Sequence, residues 1–130
     1  MPRYAYVAPQ TAVSVGPYSH AVDAGELVFL SGQTPIDPQT GKLVKGGASE
    51  QTARCLDNLF AVLSSAGLGP DDVIKANVFL CDMNDFSAMN DVYAKRFGAP
   101  YPARSTIGVQ ALPLGALVEI ELIARKPQAK

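Results

Sequence analysis

From Leu117 to Ile123 the chain alternates strictly: Val118, Ile120 and Leu122 are apolar, and Glu119 and Glu121 stand between them. A period of two belongs to a β-strand with unlike faces. The pattern predicts a last strand over Leu117 to Arg125. A similar run predicts a strand over Val73 to Leu80, with Ile74, Ala76, Val78 and Leu80 on one face and Lys75, Asn77 and Phe79 on the other. Helical spacing appears twice. Leu56, Leu59, Phe60 and Leu63 recur on one face, flanked by Cys55, Val62 and Ala66. Ser49 suits the N-cap of that helix, Glu50 its dipole and Gly67 its C′ position, and Pro70 blocks continuation. Phe86, Met89, Tyr93 and Phe97 form a second stripe, capped by Asn84 or Asp85 and ended by Gly98.

The remaining segments read as strands and turns. Tyr18 to Val22 and Glu26 to Gln33 flank the turn-forming Asp23-Ala24-Gly25 and predict a hairpin. The stretch up to Gly16 is Pro-rich and loop-like, with room for a short strand at Tyr4 to Val7. Pro35 to Gly41 reads as a surface loop. Arg104 to Val109 reads as a strand entered through Tyr101-Pro102-Ala103. The order β-β-α-β-α-β-β predicts an α+β layer fold with both helices on one sheet face. The other face then meets solvent or a partner. Phe79 and Leu117, on strand faces that also carry polar groups, point to a partner surface.

Composition narrows the class. One domain over residues 1–130 suits 130 residues, of which 48% are hydrophobic and 18% charged. Eleven basic residues against twelve acidic ones leave a net charge of −1, and no Lys/Arg run steers the chain toward nucleic acid or anionic lipid. The N-terminus lacks the apolar core of a secretory signal, and no apolar run is long enough for a membrane span. The expected location is cytosolic. Cys55 and Cys81 then read as buried free thiols.

Several chemistries lack their residues. His20 is the only histidine, so no zinc cluster and no metal site can be written, and His20 reads as a partly exposed structural residue. There is no G-x-G-x-x-G, and Leu43 after Gly41-Lys42 breaks the P-loop pattern. No nucleotide cofactor is expected. Two features remain. Glu119 and Glu121 share a strand face, which is either a solvated face or the seat of a half-buried carboxylate with a raised pKa. Arg104 opens the preceding strand, either as a bidentate fork for a ligand carboxylate or as a salt bridge to Glu119 or Glu121. The spacing of Arg104 and Glu119 is compatible with adjacent strands.

Longer motifs add a resemblance. Pro102 to Val109 and Leu112 to Glu121 together resemble the C-terminal signature of the Rid (RidA/YjgF) family. Val15-Gly-Pro-Tyr-Ser19, Phe29-Leu-Ser-Gly-Gln-Thr-Pro35, Asp85-Phe86 and Asn90-Asp-Val-Tyr93 resemble further family segments in the family's order. The resemblance implies a chorismate-mutase-like fold of the bacillar type, a homotrimer and active sites in clefts between subunits. It implies cofactor-independent hydrolysis of 2-iminopropanoate (2-aminoacrylate) and 2-iminobutanoate to 2-keto acids and ammonia. Arg104 would bind the substrate carboxylate, and Glu119 rather than Glu121 would handle the attacking water. Gly32 and Thr106 would offer backbone groups, Tyr18 would line the cleft and Asn90 would lie close by. Thr106 stands where some members have Cys, and Gln110 where a small residue is usual. The alternatives are a non-catalytic carboxylate binder on the same scaffold, an RNA-cleaving translation inhibitor, against which the near-neutral charge argues, and a chaperone-like role on which the sequence is silent.

Overall fold

The structure, a computed structural model, describes residues 2–9, 11 and 16–128. Residues 10 and 12–15, which belong to the stretch expected to be loop-like and to the Val15–Ser19 motif, lie outside the described residues. The elements run β1 (Tyr4–Tyr6), β2 (Ala21–Asp23), β3 (Leu27–Gln33), α1 (Ala48–Ser65), β4 (Val73–Leu80), α2 (Phe86–Arg96), β5 (Ala103–Gly108) and β6 (Val118–Arg125). The six strands form one mixed sheet in the order β1-β2-β3-β6-β4-β5. β6 is antiparallel to both β3 and β4, and β4 and β5 are parallel across α2. This is the expected α+β class.

The alternation in β6 decides the layers. Val118, Ile120, Leu122 and Ala124 are all buried and join Val28, Val78, Leu56, Leu59, Leu63, Met89 and Tyr93 in one core. Both helical stripes therefore lie on that face. Glu119, Glu121 and Ile123 point away from it. Their neighbours there are Phe79, Phe29 and the half-exposed Ile107. Leu117, expected on the outer face, instead precedes β6 and packs against the core.

Helix ends follow backbone chemistry, with one difference. α1 starts at Ala48, so Gly47 rather than Ser49 holds the N-cap position, and Glu50 Oε1 accepts the Gly47 N–H at 2.8 Å. At the other end Gly67 has φ +73°. Its N–H donates to Ser64 O at 3.0 Å and that of Leu68 to Leu63 O at 2.9 Å. That is a Schellman motif, and it uses the left-handed backbone that glycine adopts without strain. Asp85 occupies the N-cap of α2 but makes no side-chain cap bond, whereas Asp82 Oδ1 accepts from Asn84 N at 2.9 Å one turn earlier.

Three differences bear on the site. β2 starts at Ala21, not Tyr18, which leaves Tyr18 48% exposed before the strand. The β4–β6 register shifts between Val73 and Lys75, so Ile74 turns outward and Val73 inward. An unbroken period of two cannot show such an extra residue. His20 is buried rather than partly exposed. Its Nδ1 accepts the Ala8 N–H at 3.3 Å and its Nε2 lies 3.4 Å from Thr11 Oγ1, so the ring ties the N-terminal segment to the sheet.

Both cysteines are free thiols, as expected. Cys55 is buried and contacts Val118 O at 3.6 Å, while Cys81 is half-buried with Ala116 O at 3.1 Å. Burial pushes the Cys55 thiol far up from its ordinary pKa, which makes it inert. At the sheet end, Asp23 accepts from Tyr6 and pairs with Lys126. The Lys126 ammonium, then the Gly25 N–H and the Tyr6 hydroxyl, hold its carboxyl down at about 2.

Candidate active site

β3 carries a second register break. Leu30 pairs with Leu122 and Gln33 with Ile120, so Ser31 and Gly32 together oppose Glu121. The bulge brings the Gly32 backbone against the neighbouring acid. A Cβ built on Gly32 would lie 2.6 Å from Glu119 Oε2 and 3.0 Å from its Cδ. Glycine here leaves room for the Glu119 carboxylate, which a Cβ would push aside; its dihedral angles do not demand it. Glu119 and Glu121 share a cleft of about 340 Å³ with Tyr18, Ser31, Gly32 and Thr34.

The two acids are not equivalent. Asn77 Nδ2 donates to Glu121 Oε2 at 3.0 Å, from the facing position on β4. Glu119 faces Phe79 instead, and no hydrogen bond to its carboxylate is found among the described residues. Burial, and then the negative charge of Glu121, raise its pKa above the ordinary carboxylate value. A half-buried carboxyl of this kind can take up and release a proton closer to neutrality. Of the two readings open for this strand face, the half-buried carboxylate fits Glu119.

Arg104 lies elsewhere. It pairs with Ala76 on β4, a core-side position, whereas Glu119 pairs with Phe79 on the outer side. β4 thus separates the strands of Arg104 and Glu119, and the two side chains leave opposite faces of the sheet. Two strand spacings and a three-residue offset put their Cα atoms on the order of 14 Å apart. Neither glutamate salt-bridges Arg104. Among the described residues no carboxylate lies within 4.0 Å of its guanidinium.

The guanidinium has uncharged neighbours. Nη2 donates to Asn90 Oδ1 at 2.8 Å, and Cζ lies 4.6 Å from the Tyr93 ring centroid and 5.6 Å from that of Phe86. Asn90, Tyr93, Tyr101, Pro102 and Arg104 line a cleft of about 410 Å³. Burial raises the Tyr93 phenol pKa, with Arg104 acting against it. Thr106 follows Arg104 on the same side of edge strand β5. Among the described residues its buried Oγ1 finds no hydrogen-bond partner, nor does the Tyr93 hydroxyl.

The structure therefore divides the expected residues into two groups. Glu119, Gly32 and Tyr18 share one cleft. Arg104, Asn90 and Thr106 gather on the other side. One chain does not bring the groups together.

Four residues in or beside these clefts escaped the sequence reading. Phe86 and Tyr93 read as core stripe but contact Arg104. Asn58, fully buried on α1, donates to Thr34 O at 3.3 Å and Ile36 O at 3.0 Å and so holds the cleft wall. Gln51 accepts the Leu117 N–H at 2.8 Å just ahead of β6. The available signal for Asn58 was an amide set among the apolar positions of α1, since buried amides need partners. Among the described residues no group of His, Cys, Asp or Glu could hold a metal ion, and no helix is long and apolar enough to cross a membrane.

The chain is similar to known proteins in sequence and fold. A RutC family protein of Pyrococcus horikoshii is 52% identical over 112 residues, covering 86% of this chain and 89% of the relative. The 2-iminobutanoate/2-iminopropanoate deaminase of Capra hircus is 47% identical over 111 residues, covering 85% and 81%. The crystal structure of RidA from the Antarctic bacterium Psychrobacter sp. PAMC 21119 superposes with a TM-score of 0.91 at 39% identity, covering 95% of this chain and all of that one. Residues 9–126 match the family described as Endoribonuclease L-PSP. The chain belongs to this family, the Rid family, and carries its fold.

Proposed function

We propose that the protein is a cofactor-independent imine deaminase that works as a homotrimer, with each active site assembled from the Glu119 cleft of one subunit and the Arg104 cleft of its neighbour. The observation that carries this reading is the division of the residues. A carboxyl with a raised pKa and a cation without a carboxylate partner stand on opposite faces of one sheet. Each is half of a site for a small carboxylate that reacts at its α-carbon. A symmetric assembly repeats both halves and can join them across every boundary. The outer sheet face offers area for this, since Phe29 and Ile107 are 46% and 50% exposed there.

The chemistry follows from the groups. Arg104 pairs with the carboxylate of a 2-imino acid through its fork. Glu119 takes a proton from water as the oxygen attacks the imine carbon, and the C=N electron pair moves to nitrogen. The protonated Glu119 then returns the proton to nitrogen. Glu119 next carries the carbinolamine O–H proton to the amine nitrogen, and collapse breaks the C–N bond, forms the keto C=O and releases ammonia. Gly32, Thr106 and Tyr18 shape the cleft around the ligand. Such imines arise from amino-acid dehydratases, and the proposal includes a cytosolic location beside them. A ribonuclease reading rests on the family's description, and a net charge of −1 gives RNA no long-range attraction.

The test couples purified protein to a threonine dehydratase and follows 2-ketobutyrate release. The expected result is faster release than with the dehydratase alone, lost in Arg104→Ala and Glu119→Gln. No acceleration by the wild type would refute the reading, and full activity in Arg104→Ala would refute the residue roles.

A further inference from the structure

Arg104 is held differently from the arginines on the helices. Arg54 and Arg96 both reach Asp57, at 3.9 and 2.6 Å. Arg104 rests instead on an amide and two rings, all from α2. Phe86, Asn90 and Tyr93 follow at intervals of four and three residues, which puts them on one helix face.

Asparagine rather than aspartate at position 90 makes the difference. Aspartate would grip the guanidinium more firmly, but it would cancel the charge and compete for the fork. The Asn90 oxygen takes one N–H of Nη2, and among the described residues the other donors of the guanidinium stay unused. The Tyr93 ring adds attraction through its quadrupole and carries no net charge. It is 3% exposed and packs 4.7 Å from the Phe97 ring, so it cannot swing aside. Its hydroxyl has no partner among the described residues, so its contribution to this cluster is the ring face.

We propose that Phe86, Asn90 and Tyr93 are positioning residues that hold Arg104 as an uncompensated cation, oriented to receive a monocarboxylate ligand. The proposal rests on the deaminase reading for the identity of that ligand and adds what makes Arg104 ready for it. Asn90, expected beside the substrate, acts on it through Arg104.

The test uses Asn90→Asp, an isosteric change, in the assembled protein. The probe is 2-ketobutyrate, titrated by calorimetry. The expected result is binding weakened at least about tenfold, with a thermal midpoint equal to or above wild type because a new ion pair forms. Wild-type affinity in Asn90→Asp would overturn the proposal, and so would failure of the wild type to bind the probe.

A second readout follows stacking directly. The Arg104 Nε–H resonance is expected to be shifted upfield by the Tyr93 ring, to lose that shift in Tyr93→Leu and to keep it in Tyr93→Phe, which also rescues most of the lost affinity. An Arg104 signal unmoved in Tyr93→Leu would overturn the stacking claim, and Asn90→Asp carries the test should Tyr93→Leu fail to fold. The two readings fail separately. Wild-type protein that binds the probe without hydrolysing imines refutes the deaminase and leaves the arginine holder standing. Asn90→Asp that binds normally does the reverse.

Discussion

At Gly32 a backbone atom stands where a side chain would displace the proposed acid. The clash is with the far end of a flexible glutamate, so Gly32→Ala is expected to fold almost unchanged while Glu119 swings out of place. A misplacement of about 1 Å at a reacting group costs on the order of 100-fold in rate. Imine hydrolysis and thermal melting on the same sample check this, and a loss of stability without a loss of rate would contradict it. Glu121 bears on the same carboxyl through charge. It raises the Glu119 pKa, so Glu121→Gln is expected to lower it and to move the acidic limb of the kcat/KM profile to lower pH. An unmoved limb would assign that limb to another group. Alternation made Glu119 and Glu121 equal in the sequence. What separates them, the Asn77 amide and the Gly32 backbone, comes from neighbouring strands and was not legible along β6 itself.

The helices were the legible elements, because a stripe with a glycine stop is a local signal. Gly67 shows its strength. A Cβ there meets nothing within 4 Å, yet φ is +73°, so Gly67→Ala tests conformation alone. The expected cost is about 1–2 kcal/mol, read by denaturant melting, and a neutral substitution would contradict the Schellman account. Strands were less legible. The extra residues at Ile74 and at Ser31-Gly32 are set by pairing with β6, and a single strand read alone cannot show them. α2 was read correctly as a helix, with Met89, Tyr93 and Phe97 inside. Periodicity could not show that Phe86 and Tyr93 also support a cation from another strand.

For the whole molecule, helix periods and motif order foretold the α+β class, whereas the strand order came from the three-dimensional pairing. β4 passes between β5 and β6, and the odd, three-residue offset between Ala76 and Phe79 along it puts their partners Arg104 and Glu119 on opposite faces, despite a spacing compatible with neighbouring strands. The central claim is that the site is shared between subunits. The most direct measurement is complementation: Arg104→Ala and Glu119→Gln chains are co-expressed in equal amounts, purified as mixed assemblies and assayed for imine hydrolysis. Each chain keeps the half the other lacks. Random assembly of a cyclic trimer with one site per boundary is expected to restore about a quarter of wild-type activity. Mixed assemblies no more active than the two variants measured separately would contradict the account.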